Sequence, residues 1–148
     1  MRSVVVIVAF LGLCSATFGQ INATTFRLKY GVPLKNDASA NTETFKVRNN
    51  IEMLVNYGAS GQVCRIGFPQ SEPMIRQAST DAETNRQLHE VLDELVPTSM
   101  RGKKLRSMLE QFGLPEVFMT EYENLTILEV GPQTSITVRF KNEGCKVQ

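Results

Sequence analysis

The chain has 148 residues, with 16 Lys and Arg against 15 Asp and Glu, a formal net charge of +1 and no Trp. That even balance excludes the strongly positive field on which nucleic-acid binding depends, and the missing Trp leaves little for an aromatic carbohydrate platform. The length suffices for one domain with its own core, without a metal to hold it.

Residues 1–19 read as an export signal. Arg2 gives the positive start, Val4 to Leu13 is an apolar run, and Ser15-Ala16-Thr17-Phe18-Gly19 ends in small residues suited to a signal peptidase. A helix needs about 20 apolar residues to span a bilayer, so this run is an address and no transmembrane segment is expected after cleavage. Residues 20–148 would then form a single secreted or periplasmic domain with 15 basic and 15 acidic residues, since Arg2 alone is lost. Cys14 offers an alternative, a lipid-anchored lipoprotein. Such proteins carry a small residue before the modified cysteine, and here Leu13 stands there.

Cleavage leaves two cysteines, Cys64 and Cys145, which allow one pairing, and export favours its oxidation. Closing so long a loop would stabilise the fold by about 4 kcal/mol in the chain-entropy model. No Cys-x-x-Cys is present to depress a thiol pKa, so a structural staple is expected, not redox chemistry.

The mature start, Gln20 to Tyr30, predicts a short helix capped by Asn22 or Thr24, with Phe26 and Tyr30 on one side. Gly31 and Pro33 stop it, and Lys35 to Thr42 reads as a loop. Glu43 to Phe68 alternates as three strands, with turns at Asn49-Asn50 and Gly58-Ala59-Ser60-Gly61. Thr80-Asp81-Ala82-Glu83 matches a capping box before the stripe Leu88, Val91, Leu92 and Leu95, and Pro97 ends that helix. Ser99 predicts a second helix with the stripe Leu105, Met108, Leu109 and Phe112, closed by Gly113 and Pro115. Thr120 to Val130 and Ser135 to Lys141 predict a hairpin around Gly131–Thr134. The order is α, β-β-β, α-α, β-β, an α+β fold with an antiparallel sheet of about five strands and helices packed on one face.

Tyr30-Gly31-Val32-Pro33 and Phe112-Gly113-Leu114-Pro115 share one pattern, and each leads to a cysteine, after 33 residues from Gly31 and 32 from Gly113. An internal helix–sheet duplication, with the disulfide joining equivalent places, would explain both spacings. The plainer reading is that Gly followed by Pro is what helix ends use.

Chemistry-bearing residues are sparse. His89 is the single histidine, on the flank of the Leu88–Leu95 stripe, and it supplies neither a zinc site nor a triad alone. The chain has no Gly-x-Ser-x-Gly turn, phosphate loop or dinucleotide fingerprint. No metal or cofactor is therefore expected. Glu121 and Glu123, two apart on one proposed strand, could serve acid–base work, but a solvated strand face explains them as well. Arg101, Lys103, Lys104 and Arg106 form the densest charge run. They are the first candidate interaction patch, to be weighed against the solvated polar side of the second predicted helix. Asn22-Ala23-Thr24 and Asn124-Leu125-Thr126 are glycosylation sequons that matter only in a eukaryotic pathway.

Tyr30-Gly31-Val32-Pro33-Leu34, Val63-Cys64-Arg65-Ile66, Glu90 to Pro97 with Arg101-Gly102, and Tyr122 to Ile127 resemble segments of small exported bacterial proteins. The resemblance implies export, a bacterial source and the disulfide, and carries no activity or ligand. The expected function is a non-catalytic binding or interaction module of the periplasm or cell exterior, with a protein or envelope partner; the sequence specifies neither that partner nor the oligomeric state. The alternatives are an inhibitor of a secreted enzyme, an envelope-assembly lipoprotein or a carboxylate-using hydrolase.

Overall fold

The computed structural model describes residues 21–69, 82–110, 116–130 and 135–145. The export signal with Cys14, Thr80 and Asp81 of the capping box, the Phe112–Pro115 pattern and the Gly131–Thr134 turn lie outside them.

Asn22 starts α1 (Ala23–Tyr30) as expected, because its Oδ1 accepts from the Thr25 amide at 3.1 Å and satisfies one orphan donor. Gly31, at φ 80°, ends it. Phe26 is buried, with its ring 5.9 Å from Phe45 and 6.2 Å from Tyr30. Lys35–Asp37 is β1, a short exposed strand where the sequence read as a loop. Its three polar residues carry no apolar alternation, and pairing with β2 makes the strand. The strands β2 (Thr42–Arg48), β3 (Ile51–Tyr57) and β4 (Val63–Phe68) follow the predicted meander.

In α2 (Ala82–Leu95) the four predicted stripe residues are all buried, and the helix stops before Pro97. The second predicted helix is a correction. It amounts to one turn, α3 (Thr98–Arg101), and Lys104–Glu110 is strand β5. Gly102, at φ 74°, turns the chain out of the helix, and β5 pairs in register with β6 (Val117–Tyr122). Leu105 and Leu109 repeat at the strand period as well as the helical one, and both are exposed, so no helical stripe is buried there. The predicted Thr120–Val130 strand is also two, β6 and β7 (Leu125–Val130), parted by a turn at Glu123-Asn124. With β8 (Ser135–Phe140) the sheet has eight strands, not about five, in the order β1-β2-β3-β4-β8-β7-β6-β5.

The chain thus runs twice through a helical segment and a four-stranded meander, and the meanders join through their last strands. The landmarks differ from the expected ones. Gly31 lies between α1 and β1, whereas Phe112–Pro115 falls between β5 and β6; the glycine that matches Gly31 in place is Gly102. Nor does the disulfide join equivalent points. Cys64 is inside β4, and Cys145 lies in a 3-10 turn (Glu143–Cys145) past β8. They meet because β4 and β8 are antiparallel, which brings the end of β8 beside the start of β4.

Both α1 and α2 pack on one side of the sheet, over Phe45, Met53, Val55, Ile66 and Val138, in one apolar cluster. A buried carboxylate ties α1 to the sheet on that side. Glu43 is 2% exposed and accepts from Arg27 Nε at 3.0 Å and from the Tyr57 hydroxyl at 2.9 Å.

Candidate binding face

Successive residues of a strand point to opposite sides of a sheet, so the residues that alternate with the core define a second face. The strand register arranges them in two rows crossing from β2 to β5. One row is Thr44, Leu54, Gly67, Thr137, Leu128, Met119 and Met108. The other is Thr42, Asn56, Arg65, Arg139, Thr126, Glu121 and Arg106. The first row is apolar or small, the second polar or charged.

Leu54, Leu128, Met119 and Met108 are half-buried and join no part of the core cluster. Gly67 and Thr137 put the least bulk at the middle of their row, where a Cβ on Gly67 would meet the Thr137 hydroxyl only at 4.0 Å. The result is a low saddle between Leu54 and Leu128. In the polar row Glu121 accepts from Lys141 Nζ at 2.8 Å and from Arg106 Nε at 2.5 Å. Hydrogen bonding to Lys141 first, and then to Arg106, holds its carboxyl below the usual range. Glu121 therefore stays ionised, whereas a general acid must hold its proton. Its expected partner Glu123 is not on the strand; it lies in the turn after β6 and accepts the Lys103 amide at 2.8 Å.

The four basic residues of the predicted patch have separate surroundings. Arg101 is mostly buried: its Nε donates to the Val96 carbonyl at 2.7 Å, it pairs with Asp93, and its guanidinium lies 5.9 Å from the Tyr122 ring centroid. Lys103 and Lys104 are exposed, and Arg106 belongs to the polar row. His89 is half-buried beside Leu88, on the flank as expected. Among the described residues no three His, Cys, Asp or Glu side chains gather as a metal would require. A wide cleft of about 630 Å³ opens between the Asn49-Asn50 turn and Arg86, Gln87 and Glu90 of α2. Its Arg86 is committed to Glu83 and Glu90.

Cys64 and Cys145 are bonded, with Cα atoms 5.1 Å apart and a separation of 81 in sequence. The turn that carries Cys145 sits close against the β3–β4 hairpin, where a Cβ on Gly58 would lie 2.7 Å from the Gly144 carbonyl and one on Gly144 would overlap the Gln62 amide. The two sequon asparagines both serve the fold: Asn22 caps α1, and Asn124 Nδ2 donates to the Met100 carbonyl at 3.0 Å.

Glu43, Arg65 and Arg139 were not singled out from sequence. Glu43 carried a signal, a carboxylate at an inward position of an alternating strand. Arg65 and Arg139 carried none until the register placed them opposite one another.

No helix among the described residues is long and apolar enough to cross a membrane. No protein-family model and no curated protein matches the chain. Among solved structures it is similar to a DUF4309 family protein from Bacillus subtilis, at 14% identity and a TM-score of 0.46, over 83% of this chain and 80% of that one. Likeness at that level assigns neither family nor function.

Proposed function

We propose that the protein is an exported, non-catalytic binding module, and that the helix-free face of its sheet is the surface that meets the partner. One observation carries the reading: an apolar row, Leu54, Leu128, Met119 and Met108, runs half-buried beside a charged row, outside the core. Apolar side chains rimmed by charge are the usual composition of an interaction surface. Methionines adapt to partners of irregular shape. Export fits the disulfide, which persists in oxidising compartments, and the presequence, whose removal near Gln20 puts the domain in the periplasm or outside the cell.

The test is site-specific photo-crosslinking in the native host, with the reactive group placed at Leu128 or at Gln87. Leu128 is on the helix-free face and Gln87 is on α2. Adducts from Leu128 and none from Gln87 are expected. Equal yields from the two positions, or none from Leu128, would overturn the assignment of the face.

A further inference from the structure

Arg65 and Arg139 stand directly opposite each other on β4 and β8, the central pair of the sheet, and both are exposed. Like charges in that arrangement are destabilising. The other arginines among the described residues are neutralised. Of the seven among the described residues, Arg27, Arg48, Arg86, Arg101 and Arg106 each hold a carboxylate, and Arg65 and Arg139 hold none. The next residue of the same row, Asn56, also keeps a buried Oδ1 without a hydrogen-bond partner. The polar row is therefore left unsatisfied at its middle, beside the Gly67–Thr137 saddle of the apolar row.

We infer that Arg65 and Arg139 form a carboxylate clamp, and that the ligand is an acidic, extended segment of a partner protein. Its carboxylate lies across the two guanidinium forks and its neighbouring apolar side chain sits over Gly67 and Thr137. A guanidinium matches a carboxylate with two parallel hydrogen bonds, and a second arginine neutralises the repulsion left by the first. Charge selects an acid, and the adjoining saddle between Leu54 and Leu128 selects an apolar neighbour over a free inorganic anion. The inference rests on the reading of this face as the binding surface.

The mature, disulfide-bonded protein is titrated with three peptides of equal length that alternate Leu with Glu, Gln or Lys. Affinity and the NMR signals of Leu54, Leu128 and Met119 are followed together. The Glu peptide should bind most tightly and shift those signals. Arg65→Gln with Arg139→Gln should weaken it by about tenfold or more without lowering the melting temperature, since a like-charge contact is removed. Arg65→Lys with Arg139→Lys keeps the charge but not the fork and should restore only part of the affinity. Binding indifferent to the arginine changes, yet still shifting Leu54 and Leu128, overturns the clamp and leaves the face reading intact. Competition by inorganic phosphate that is independent of the leucines overturns the peptide as ligand. No shift on this face with any peptide, together with no adduct from Leu128, overturns both.

Discussion

The two sides of the sheet are built from the same strands and have opposite characters. Beneath α1 and α2 the chain closes most of its own contacts: Phe45, Met53, Val55, Ile66 and Val138 are fully buried, and the inward carboxylate of Glu43 has Arg27 and Tyr57 as partners, while farther along that side, on β5 and β6, Leu109 and Phe118 stay exposed. On the other side leucines and methionines stay half-buried, and two arginines face each other with no acid paired to them among the described residues. An evolved fold seldom leaves both apolar area and charge uncompensated on one surface unless something else compensates them. The helix side holds most of the core, and the open side carries the proposed binding surface.

The largest expected effect on this comparison comes from the disulfide, which fastens the turn after β8 to β4 where the two meanders join. Replacing Cys64 and Cys145 with Ala should cost at least about 4 kcal/mol in the chain-entropy model, read as a lower urea midpoint. Next is Phe45→Ala, which removes a ring packed on Phe26 and should cost about 4 kcal/mol, whereas Met119→Ala on the open side should cost under about 1 kcal/mol. Equal losses from those two changes would mean the open side is closed in the free protein. Glu43→Leu removes the acceptor of Arg27 and Tyr57 and should cost about 2 kcal/mol by denaturant unfolding. A neutral result would show that the network orders α1 without stabilising it.

The smallest effect is one of pH, and it reaches both sides. Lys29, chiefly by its hydrogen bond, holds the Glu94 carboxyl below its usual range on the helix side, as Lys141 and Arg106 do for Glu121 on the open side. Both pKa values are depressed on folding. Their contribution is therefore full above the unfolded value, roughly 4.3, and is lost as the pH falls through the folded values. Thermal melts from pH 7 to pH 3 should show a shallower acid loss in Glu94→Gln and in Glu121→Gln than in the parent. Parallel curves would show that neither ion pair is retained in solution.

How much of this was legible in the sequence follows from periodicity. Phe45 to Phe68 alternates, and Leu88, Val91, Leu92 and Leu95 fall at the helical spacing i, i+3, i+4, i+7, so those elements could be read directly. Leu105, Met108, Leu109 and Phe112 have that same spacing, so periodicity could not part a strand from a helix there, and pairing with β6, a tertiary event, makes β5. Three polar residues in β1 offered no pattern at all. The basic cluster was visible because it is contiguous, yet the strand after Gly102 separates the buried Arg101 from Arg106 in the polar row. Arg65 and Arg139 show the reverse case. They are far apart in sequence, and only the β4–β8 register, which the disulfide hints at without fixing, makes them neighbours.

The most direct test of the open side as a binding surface is methionine oxidation footprinting, on the purified protein and in intact host cells. Met108 and Met119 are half-buried on that face, Met100 is half-buried on the helix side, and Met53 is fully buried in the core. Purified protein should oxidise at Met108, Met119 and Met100 and spare Met53. In intact cells Met108 and Met119 should become protected while Met100 stays reactive. Unchanged rates at Met108 and Met119, or protection at Met100 instead, would contradict the account.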